Sequence, residues 1–297
     1  MTDVLHVDAV SRSFGDRQVL KDVSFSVGAG RMTGFVGANG AGKTTTMRII
    51  LGVLAADAGR VTWRGAPLDR PARQRFGYMP EERGLYPKMT VTDQIVYLGQ
   101  LHGMSRADAH RRTAELLDRL GLGERAGDQV EKLSLGNQQR VQVAAAIVHD
   151  PEVLVLDEPF SGLDPLAVET VLGVLRDRAA AGAPVLFSSH QLDLVERLCD
   201  DLVIIADGMI RAAGSRADLR SSYALPRYAI QVAADAGGLR DHPGVTLVQL
   251  DGPRAVFDLA DGVGDQEVLR AALARGPVRS FSPVQPSLTE IFREVTQ

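Results

Sequence analysis

The stretch that decides the fold is Gly37-Ala38-Asn39-Gly40-Ala41-Gly42-Lys43-Thr44. It matches the phosphate-loop pattern G-x-x-x-x-G-K-[ST] at every fixed position. The run Thr33–Val36 before it predicts a strand, and Ala41–Leu51 predicts the helix that this pattern requires. Glycines let the backbone turn around an anion, and the helix N-terminus adds a positive partial charge. The stretch therefore predicts a nucleotide-phosphate site in an α/β fold.

Within this loop, the side chains favour particular contacts with a triphosphate. Lys43 can reach the β- and γ-phosphates, and the Thr44 hydroxyl can ligate Mg²⁺. The nucleotide contacts predicted here come from Gly37, Asn39, Gly40, Ala41, Gly42, Lys43, Thr44 and Thr45. A chance match in a glycine-rich loop is disfavoured by the strand and helix around it. The loop alone leaves a GTPase, a kinase and an ATPase open, although the chain has no N-K-x-D guanine-reading motif.

A second stretch places two acids after an apolar run. Val153–Leu156 predicts a buried strand, and Asp157 and Glu158 follow it directly. Ligands of open parallel sheets bind at the carboxyl ends of the strands, so both acids should lie near the phosphate loop. We expect Asp157 to hold Mg²⁺ and Glu158 to polarise the attacking water. The alternative is a solvated strand end without a role.

Composition excludes several classes of protein. The 297 residues are 45% hydrophobic and 24% charged with a net charge of −4, which is typical of a folded domain and not of a disordered chain. No basic arm is present, so no nucleic-acid partner is expected. The single cysteine, Cys199, fits a reducing compartment. The first ten residues contain no basic cluster, and no 18-residue window is apolar throughout, so neither a secretory signal nor a membrane span is predicted.

Three regions follow one another along the chain. Short strands up to about residue 80 precede a mostly helical region at about 85–150, and strands and helices then alternate. The polar stretch Gly214–Arg227 predicts a linker. Strands and helices beyond it predict a small α+β domain. The predicted domains are therefore 1–220, with the helical region as a subdomain, and 221–297.

Further stretches resemble the motifs of ATP-binding cassette (ABC) ATPases. Leu133-Ser134-Leu135-Gly136-Asn137-Gln138 resembles the L-S-G-G-Q signature, and Ser161-Gly162-Leu163-Asp164 resembles the D-loop. His190 resembles the switch histidine, and Phe14 stands where the family has an aromatic residue that stacks on adenine. The match covers roughly residues 3–220. It implies the ABC ATPase fold, in which a parallel phosphate-loop sheet is joined by an antiparallel β part and a helical subdomain.

The resemblance also implies roles for these residues. ATP would lie between the phosphate loop of one subunit and the signature of another, with Ser134 and Gly136 on the γ-phosphate and Asp164 beside the nucleotide. Glu158 would be the catalytic base, and His190 would contact the γ-phosphate and orient Glu158. Without the other motifs, Ser134 would be a helix cap, His190 a structural histidine and Phe14 a core aromatic. The other five histidines match no motif and are interpreted as structural.

Two departures from the family pattern have physical consequences. Leu135 and Asn137 replace the glycine and glutamine of the signature, and a leucine at positive φ would cost about 1–2 kcal/mol. Glu81 replaces a glutamine in the segment Gly77–Tyr86. An ionised glutamate only accepts hydrogen bonds. It can still bind Mg²⁺ or water, so Glu81 remains a predicted nucleotide and metal contact.

Together the variant motifs resemble a subgroup of exporter ATPases that includes sodium-extrusion and antibiotic-resistance cassettes. This resemblance implies a cytoplasmic, membrane-peripheral ATPase subunit using ATP and Mg²⁺. It would form a homodimer or pseudo-dimer and drive a separate permease of about six membrane helices. The tail ending Ser287–Phe292 resembles the small C-terminal domain of that subgroup. The alternatives are a soluble ABC ATPase acting on ribosomes or DNA, and a binding module without turnover. Cargo, the identity of the partner ATPase and the role of the tail stay open.

Overall fold

The chain folds into two compact units, and the boundary between them lies between Arg216 and Ala217. The computed structural model describes residues 4–296. Residues 1–3 and 297, which the predicted domains include at their outer ends, lie outside the described residues.

The first unit alternates strands and helices. Its elements in chain order are β1 (Leu5–Phe14), β2 (Arg17–Val27), β3 (Met32–Val36), α1 (Lys43–Ile50), β4 (Ala58–Trp63), β5 (Ala66–Pro67), α2 (Arg70–Arg73), β6 (Phe76–Met79), α3 (Val91–Leu101), α4 (Arg106–Arg119), α5 (Leu135–Ile147), β7 (Val153–Leu156), α6 (Pro165–Ala180), β8 (Val185–Ser189), α7 (Leu192–Leu198), β9 (Asp201–Ala206) and β10 (Met209–Ser215).

These strands form two sheets. The first has the order β2-β1-β4-β5 and is antiparallel. The second has the order β10-β9-β3-β8-β7-β6, in which only the edge strand β10 is antiparallel to its neighbour. β7 and β8 are buried along their whole length, because helices and the antiparallel sheet together cover the two faces of the parallel sheet. The predicted α/β architecture with an added antiparallel part is therefore present.

The main core lies between the two sheets. Phe25 of β2 packs on Phe35 of β3 with ring centroids 5.2 Å apart. Trp63 of β4 meets Phe76 of β6 edge to face at 5.4 Å. Burying an aromatic side chain of this size stabilises the folded chain by about 2–3 kcal/mol. This packing determines the position of β3, from which the phosphate loop leaves.

The helical region uses the same local signal to start each of its helices. Thr90, Ser105 and Ser134 are the N-caps of α3, α4 and α5, and each side chain accepts a hydrogen bond from the backbone N–H three residues ahead. Such caps contribute about 1 kcal/mol each. Leu135 has no positive φ, so the expected strain at this departure from the signature is absent.

The second unit is a four-stranded antiparallel sheet of order β12-β13-β11-β14 with one long helix. Its elements are β11 (Arg227–Val232), β12 (Val245–Asp251), β13 (Arg254–Leu259), α9 (Asp265–Arg275), β14 (Val278–Pro283) and α10 (Leu288–Thr296), preceded by α8 (Arg216–Ser222). The order is that of a split βαβ unit whose first crossover is a short 3₁₀ helix, Gly237–Asp241. Phe257, Val268 and Ile230 lie at the centre of its own core.

The predicted linker Gly214–Arg227 contains the boundary between the two units, but most of it has regular secondary structure. β10 continues to Ser215, and α8 occupies Arg216–Ser222. The polar composition is misleading because alanine, leucine and arginine are good helix formers. Leu219 of this short helix is buried.

Two stacked histidines join the helical region to the sheet. The rings of His102, after α3, and His149, after α5, are 3.6 Å apart and nearly parallel. His149 Nε2 donates to the Phe76 carbonyl at 3.2 Å, while its Nδ1 is buried without a hydrogen-bond partner in residues 4–296. Burial, aided by His102 and Arg178, lowers the pKa of His149 to about 4. The folded chain therefore holds this ring in its neutral form.

Acid should weaken this junction. The pKa of His149 is 6.5 in the unfolded chain and about 4 in the folded chain. Its contribution to the free energy of unfolding is therefore complete above pH 6.5 and is lost as the pH falls toward 4. Between about pH 7 and 5 the wild type should lose at most roughly 2 kcal/mol of unfolding free energy through this group. His149→Gln keeps an N–H donor without titrating, so urea unfolding at both pH values should show a smaller loss. His110→Gln, at an exposed histidine, is the control; a wild-type-like loss in His149→Gln contradicts the prediction.

Candidate active site

The site lies where adjacent parallel strands end. β3, β8, β7 and β6 are neighbours, and the loops after them contain the phosphate loop, His190, the acid pair and Glu81. Carboxyl ends of parallel strands lie at one edge of a sheet, so residues far apart in sequence meet there.

Glycines give the phosphate loop its shape. Gly42 is the N-cap of α1 with φ of 113°, and a Cβ there would lie 2.5 Å from Leu20. At Gly37 a Cβ would lie 2.4 Å from the Ile205 carbonyl oxygen. A larger residue at either position would move the loop, so its backbone N–H groups depend on both glycines.

Lys43 is buried at the base of this loop. Its Nζ donates to the carbonyl oxygens of Gly37 at 2.7 Å and Ala38 at 3.3 Å. Burial lowers the pKa of Lys43, and the charges of Glu158, Asp157 and Glu81 oppose that shift. The ammonium is therefore held inside the loop, in position to meet a phosphate.

Asp157 joins the phosphate loop to the sheet. Thr44 Oγ1 donates to its Oδ2 at 2.8 Å, and Ser188 Oγ donates to its Oδ1 at 2.5 Å. The residue is 1% exposed. Both carboxylate oxygens are thus satisfied by hydroxyl groups, which a buried carboxylate requires.

Glu158 is held from three sides. His190 Nδ1 lies 2.9 Å from its Oε1, Ser188 Oγ accepts from its backbone N–H at 2.8 Å, and Gln139 Nε2 donates to its carbonyl oxygen at 2.8 Å. Its φ is 53°, a region that costs a non-glycine residue about 1–3 kcal/mol. Several hydrogen bonds hold the backbone of Glu158 in this strained conformation, which indicates that the orientation of its side chain matters.

A cavity of about 400 Å³ opens between these groups. Its walls contain predicted residues of the phosphate loop, the acid pair and the segment after β6: Asn39, Gly40, Gly42, Lys43, Thr44, Thr45, Glu81, Asp157 and Glu158. Arg17 and Val19 also line it, and sequence reasoning missed both. The two-residue turn Gly15-Asp16 is a signal that could have placed Arg17 opposite Phe14.

Seven predicted residues do not line this cavity. Gly37 and Ala41 belong to the phosphate loop that borders it, and His190 contacts the lining residue Glu158. The other four are Phe14, Ser134, Asp164 and Gly136. Phe14 ends β1, is 48% exposed and lies under the Arg12 guanidinium at 5.1 Å. Ser134 caps α5, and Asp164 caps α6 by accepting from the Ala167 N–H at 2.8 Å. Gly136 lies beside the Gly162 carbonyl oxygen, so the signature and D-loop segments contact each other within one chain.

The donor set fits Mg²⁺. Thr44 Oγ1 and Asp157 Oδ2 are hard oxygen ligands already 2.8 Å apart, and Glu81 faces the same cavity. Residues 4–296 contain no group of three or more His, Cys, Asp or Glu side chains that could hold a metal by themselves. At nucleotide sites Mg²⁺ usually has one or two protein ligands, and phosphate oxygens and water complete its coordination shell.

A phosphate loop after a parallel strand, a hydroxyl paired with an aspartate and a strained glutamate held by histidine define a nucleoside-triphosphatase site. The family model described as "ABC transporter" matches residues 20–161. A second model, described as the C-terminal domain of DrrA1-3-like ATP-binding proteins, matches residues 214–296.

One known protein resembles nearly the whole chain, and others resemble about seven tenths of it. An uncharacterized ABC transporter ATP-binding protein, YhaQ of Bacillus subtilis (strain 168), is 38% identical over 98% of this chain and 98% of its own length. The Nod factor export ATP-binding protein I of Burkholderia lata is 41% identical over 69% of each chain. The linearmycin resistance ATP-binding protein LnrL of B. subtilis is 35% identical over 73% of this chain and 71% of its own. A solved ATP-binding subunit of an ABC transporter has a TM-score of 0.69 at 35% identity, covering 74% of this chain and 93% of that one.

The chain therefore belongs to the ABC transporter ATP-binding proteins. The predicted fold class is confirmed, as is the prediction of an ATP-binding ATPase. ATP-binding subunits of this family work with a membrane permease. In residues 4–296 no helix is long and apolar enough to cross a bilayer.

Proposed function

We propose that this chain is the cytoplasmic, membrane-peripheral ATPase subunit of an exporter. Two ATPase subunits, as a homodimer or pseudo-dimer, close on ATP and drive a separate permease of about six membrane helices. The observation that carries the proposal is the cavity, in which Lys43, Asp157 and Glu158 meet while Ser134 and Gly136 lie outside it. We further propose residues 1–220 as the ATPase domain, with its helical subdomain at about 85–150, and 221–297 as an accessory domain.

Hydrolysis uses the residues already held in place. Lys43 and the backbone N–H groups of the phosphate loop bind the β- and γ-phosphates. Bound Mg²⁺, held by Thr44, Asp157 and Glu81, would neutralise charge on the phosphate oxygens. Glu158 accepts a hydrogen bond from the attacking water and takes its proton, and His190 keeps that carboxylate oriented toward the γ-phosphate. Phe14 offers an exposed ring for the adenine.

Dimer closure explains the residues outside the cavity. The N-terminus of α5 presents its free N–H groups and the Ser134 hydroxyl, which suit a phosphate. In the closed dimer they contact the γ-phosphate bound to the other subunit, and Asp164 lies at the same interface. ATP then performs work because it binds the closed state better than the open state.

Replacing Ser134 by arginine should separate binding from turnover. The long cation blocks the contact with the partner's nucleotide and leaves the cavity of its own chain intact. We expect ATP affinity within about 2-fold of wild type and loss of most steady-state hydrolysis, roughly 10²-fold. Ser105→Arg removes the equivalent cap of α4 and controls for capping alone. Unchanged turnover in Ser134→Arg would contradict the closed dimer, in which ATP lies between the phosphate loop of one subunit and Ser134 of the other.

Export is favoured over other ABC activities by two relatives, whose names concern Nod factor export and linearmycin resistance. The variant signature and Glu81 segment, which resemble exporter cassettes, support the same direction. The rival is an ABC ATPase acting on ribosomes or DNA.

A surface for the permease lies on the helical region. Tyr86 and Tyr97 pack edge to face at 6.1 Å, and Leu101 is 64% exposed on the same helix as Tyr97. Exposed apolar groups so close together favour protein contact. We propose that a cytoplasmic helix of the permease binds to this exposed surface at Tyr86, Tyr97 and Leu101.

The test is affinity capture of the full chain from detergent-solubilised native membranes, with partners identified by mass spectrometry. We expect a stoichiometric partner with about six apolar spans. Leu101→Asp should reduce its yield, and Leu273→Asp, at another exposed leucine, in the second unit, should not. Recovery of ribosomal or DNA-associated proteins instead, or of none, would replace the exporter proposal by the rival.

A further inference from the structure

Buried glutamines hold the loops of this site. Among the described residues Gln94, Gln139 and Gln142 are buried, and all lie on helices α3 and α5. A buried amide is costly unless it forms hydrogen bonds. The side chain of each glutamine forms a hydrogen bond with the backbone of a loop that reaches the nucleotide cavity or leads away from it.

Two of them hold the segment that contains Glu81. Gln142 Nε2 donates to the carbonyl oxygens of Pro80 at 3.3 Å and Glu82 at 3.4 Å, on either side of Glu81. Gln94 Oε1 accepts from the Tyr86 N–H at 2.6 Å, near the end of the segment. The backbone that carries Glu81 into the cavity is thus attached to α5 and α3.

Gln142 forms these bonds at a cost. Its Oε1 is buried without a hydrogen-bond partner among residues 4–296. An unsatisfied buried acceptor costs about 1–3 kcal/mol, which an apolar side chain of equal length would avoid. The stability of the fold therefore does not explain why a glutamine occupies this position. The hydrogen bonds that it donates to the Pro80 and Glu82 carbonyl oxygens do explain it.

The same face of α5 reaches the catalytic glutamate. Gln139 lies one turn before Gln142, and its Nε2 donates to the Glu158 carbonyl oxygen at 2.8 Å. Helix α5 therefore contacts the backbone of Glu158 through one glutamine and the backbone around Glu81 through the other. Ser134, at the start of this helix, is the residue proposed to meet the partner's nucleotide.

We propose that Gln142 is a positioning residue that holds Glu81 in the nucleotide cavity, so that α5 couples the position of Glu81 to that of Glu158. The inference rests on the proposed role of Glu81 as a nucleotide and metal contact. It does not depend on export or on the permease, so a failed membrane capture leaves it standing.

The test is Gln142→Leu in the purified full chain, which removes the donor at nearly constant volume. We expect kcat to fall about 10-fold and the KM for ATP at saturating Mg²⁺ to rise about 3-fold, because a displaced Glu81 weakens both the binding of the Mg–ATP complex and its alignment in the transition state. Equilibrium binding of a fluorescent ATP analogue gives a second readout. Affinity should fall about 3-fold or more with Mg²⁺ present and stay unchanged in EDTA.

A double-mutant cycle with Glu81→Ala separates positioning from packing. If Gln142 acts through Glu81, Gln142→Leu should change neither readout further in the Glu81→Ala background. Gln129→Leu is the control, since the side-chain amide of this glutamine also donates to a backbone carbonyl oxygen, that of Lys88, and Gln129 belongs to none of the motifs. Gln142→Met replaces the leucine variant if that one does not fold. Equal losses in both backgrounds, or in Gln129→Leu, overturn the proposal.

Discussion

Glu158→Gln should lower steady-state ATP hydrolysis by about 10²- to 10³-fold, the usual loss when a general base is removed. Glutamine has the same shape, can keep the backbone bonds to Ser188 and Gln139, and cannot take a proton from water. Nucleotide binding should persist, because Lys43 and the phosphate loop are unchanged. The ATP-bound closed dimer should therefore accumulate.

Single-turnover hydrolysis is the measurement, with size-exclusion chromatography in ATP for the dimer. Glu169→Gln is the control, since this exposed glutamate pairs with Arg197 away from the cavity. Equal single-turnover rates in Glu158→Gln and wild type would contradict the assigned base. They would also favour the alternative in which the chain binds ATP without using turnover for work.

Lys43→Ala should have a different effect. The ammonium is buried in the loop, bonded to two carbonyl oxygens and close to Asp157 and Glu158. Removing it leaves the phosphates facing uncompensated carboxylates. Loss of a buried charge contact of this kind costs about 3 kcal/mol, roughly 100-fold in Kd. ATP-dependent dimerisation should be lost with the binding.

Equilibrium binding of ATP to the purified chain tests this result. Lys88→Ala is the control, because Lys88 is exposed and pairs with Glu131 on the surface. Circular dichroism melting should show a fold close to wild type for both variants. Affinity within 3-fold of wild type in Lys43→Ala would exclude the lysine as a phosphate ligand.

Local patterns predicted much of the site. Glycine spacing, an apolar strand and two following acids are contiguous in sequence, and their geometry follows from short-range backbone constraints. The structure brings Glu81, Asp157 and Glu158 to one cavity with the phosphate loop. The linker prediction at Gly214–Arg227 located the boundary between the units but missed the helix α8, in which Leu219 is buried.

The sequence by itself determined the strand–loop–helix proposed to bind phosphate and the order of the motifs, because each motif lies within a few residues of chain. Only the tertiary structure decided which side chains hold them. Ser188 meets Asp157 across 31 residues, and Gln142 meets Pro80 across 62. Such contacts have no period or spacing in sequence, since they form only where packed helices and parallel strands bring distant backbone together. The position of Glu81 is therefore a property of the fold, whereas its presence is a property of the sequence.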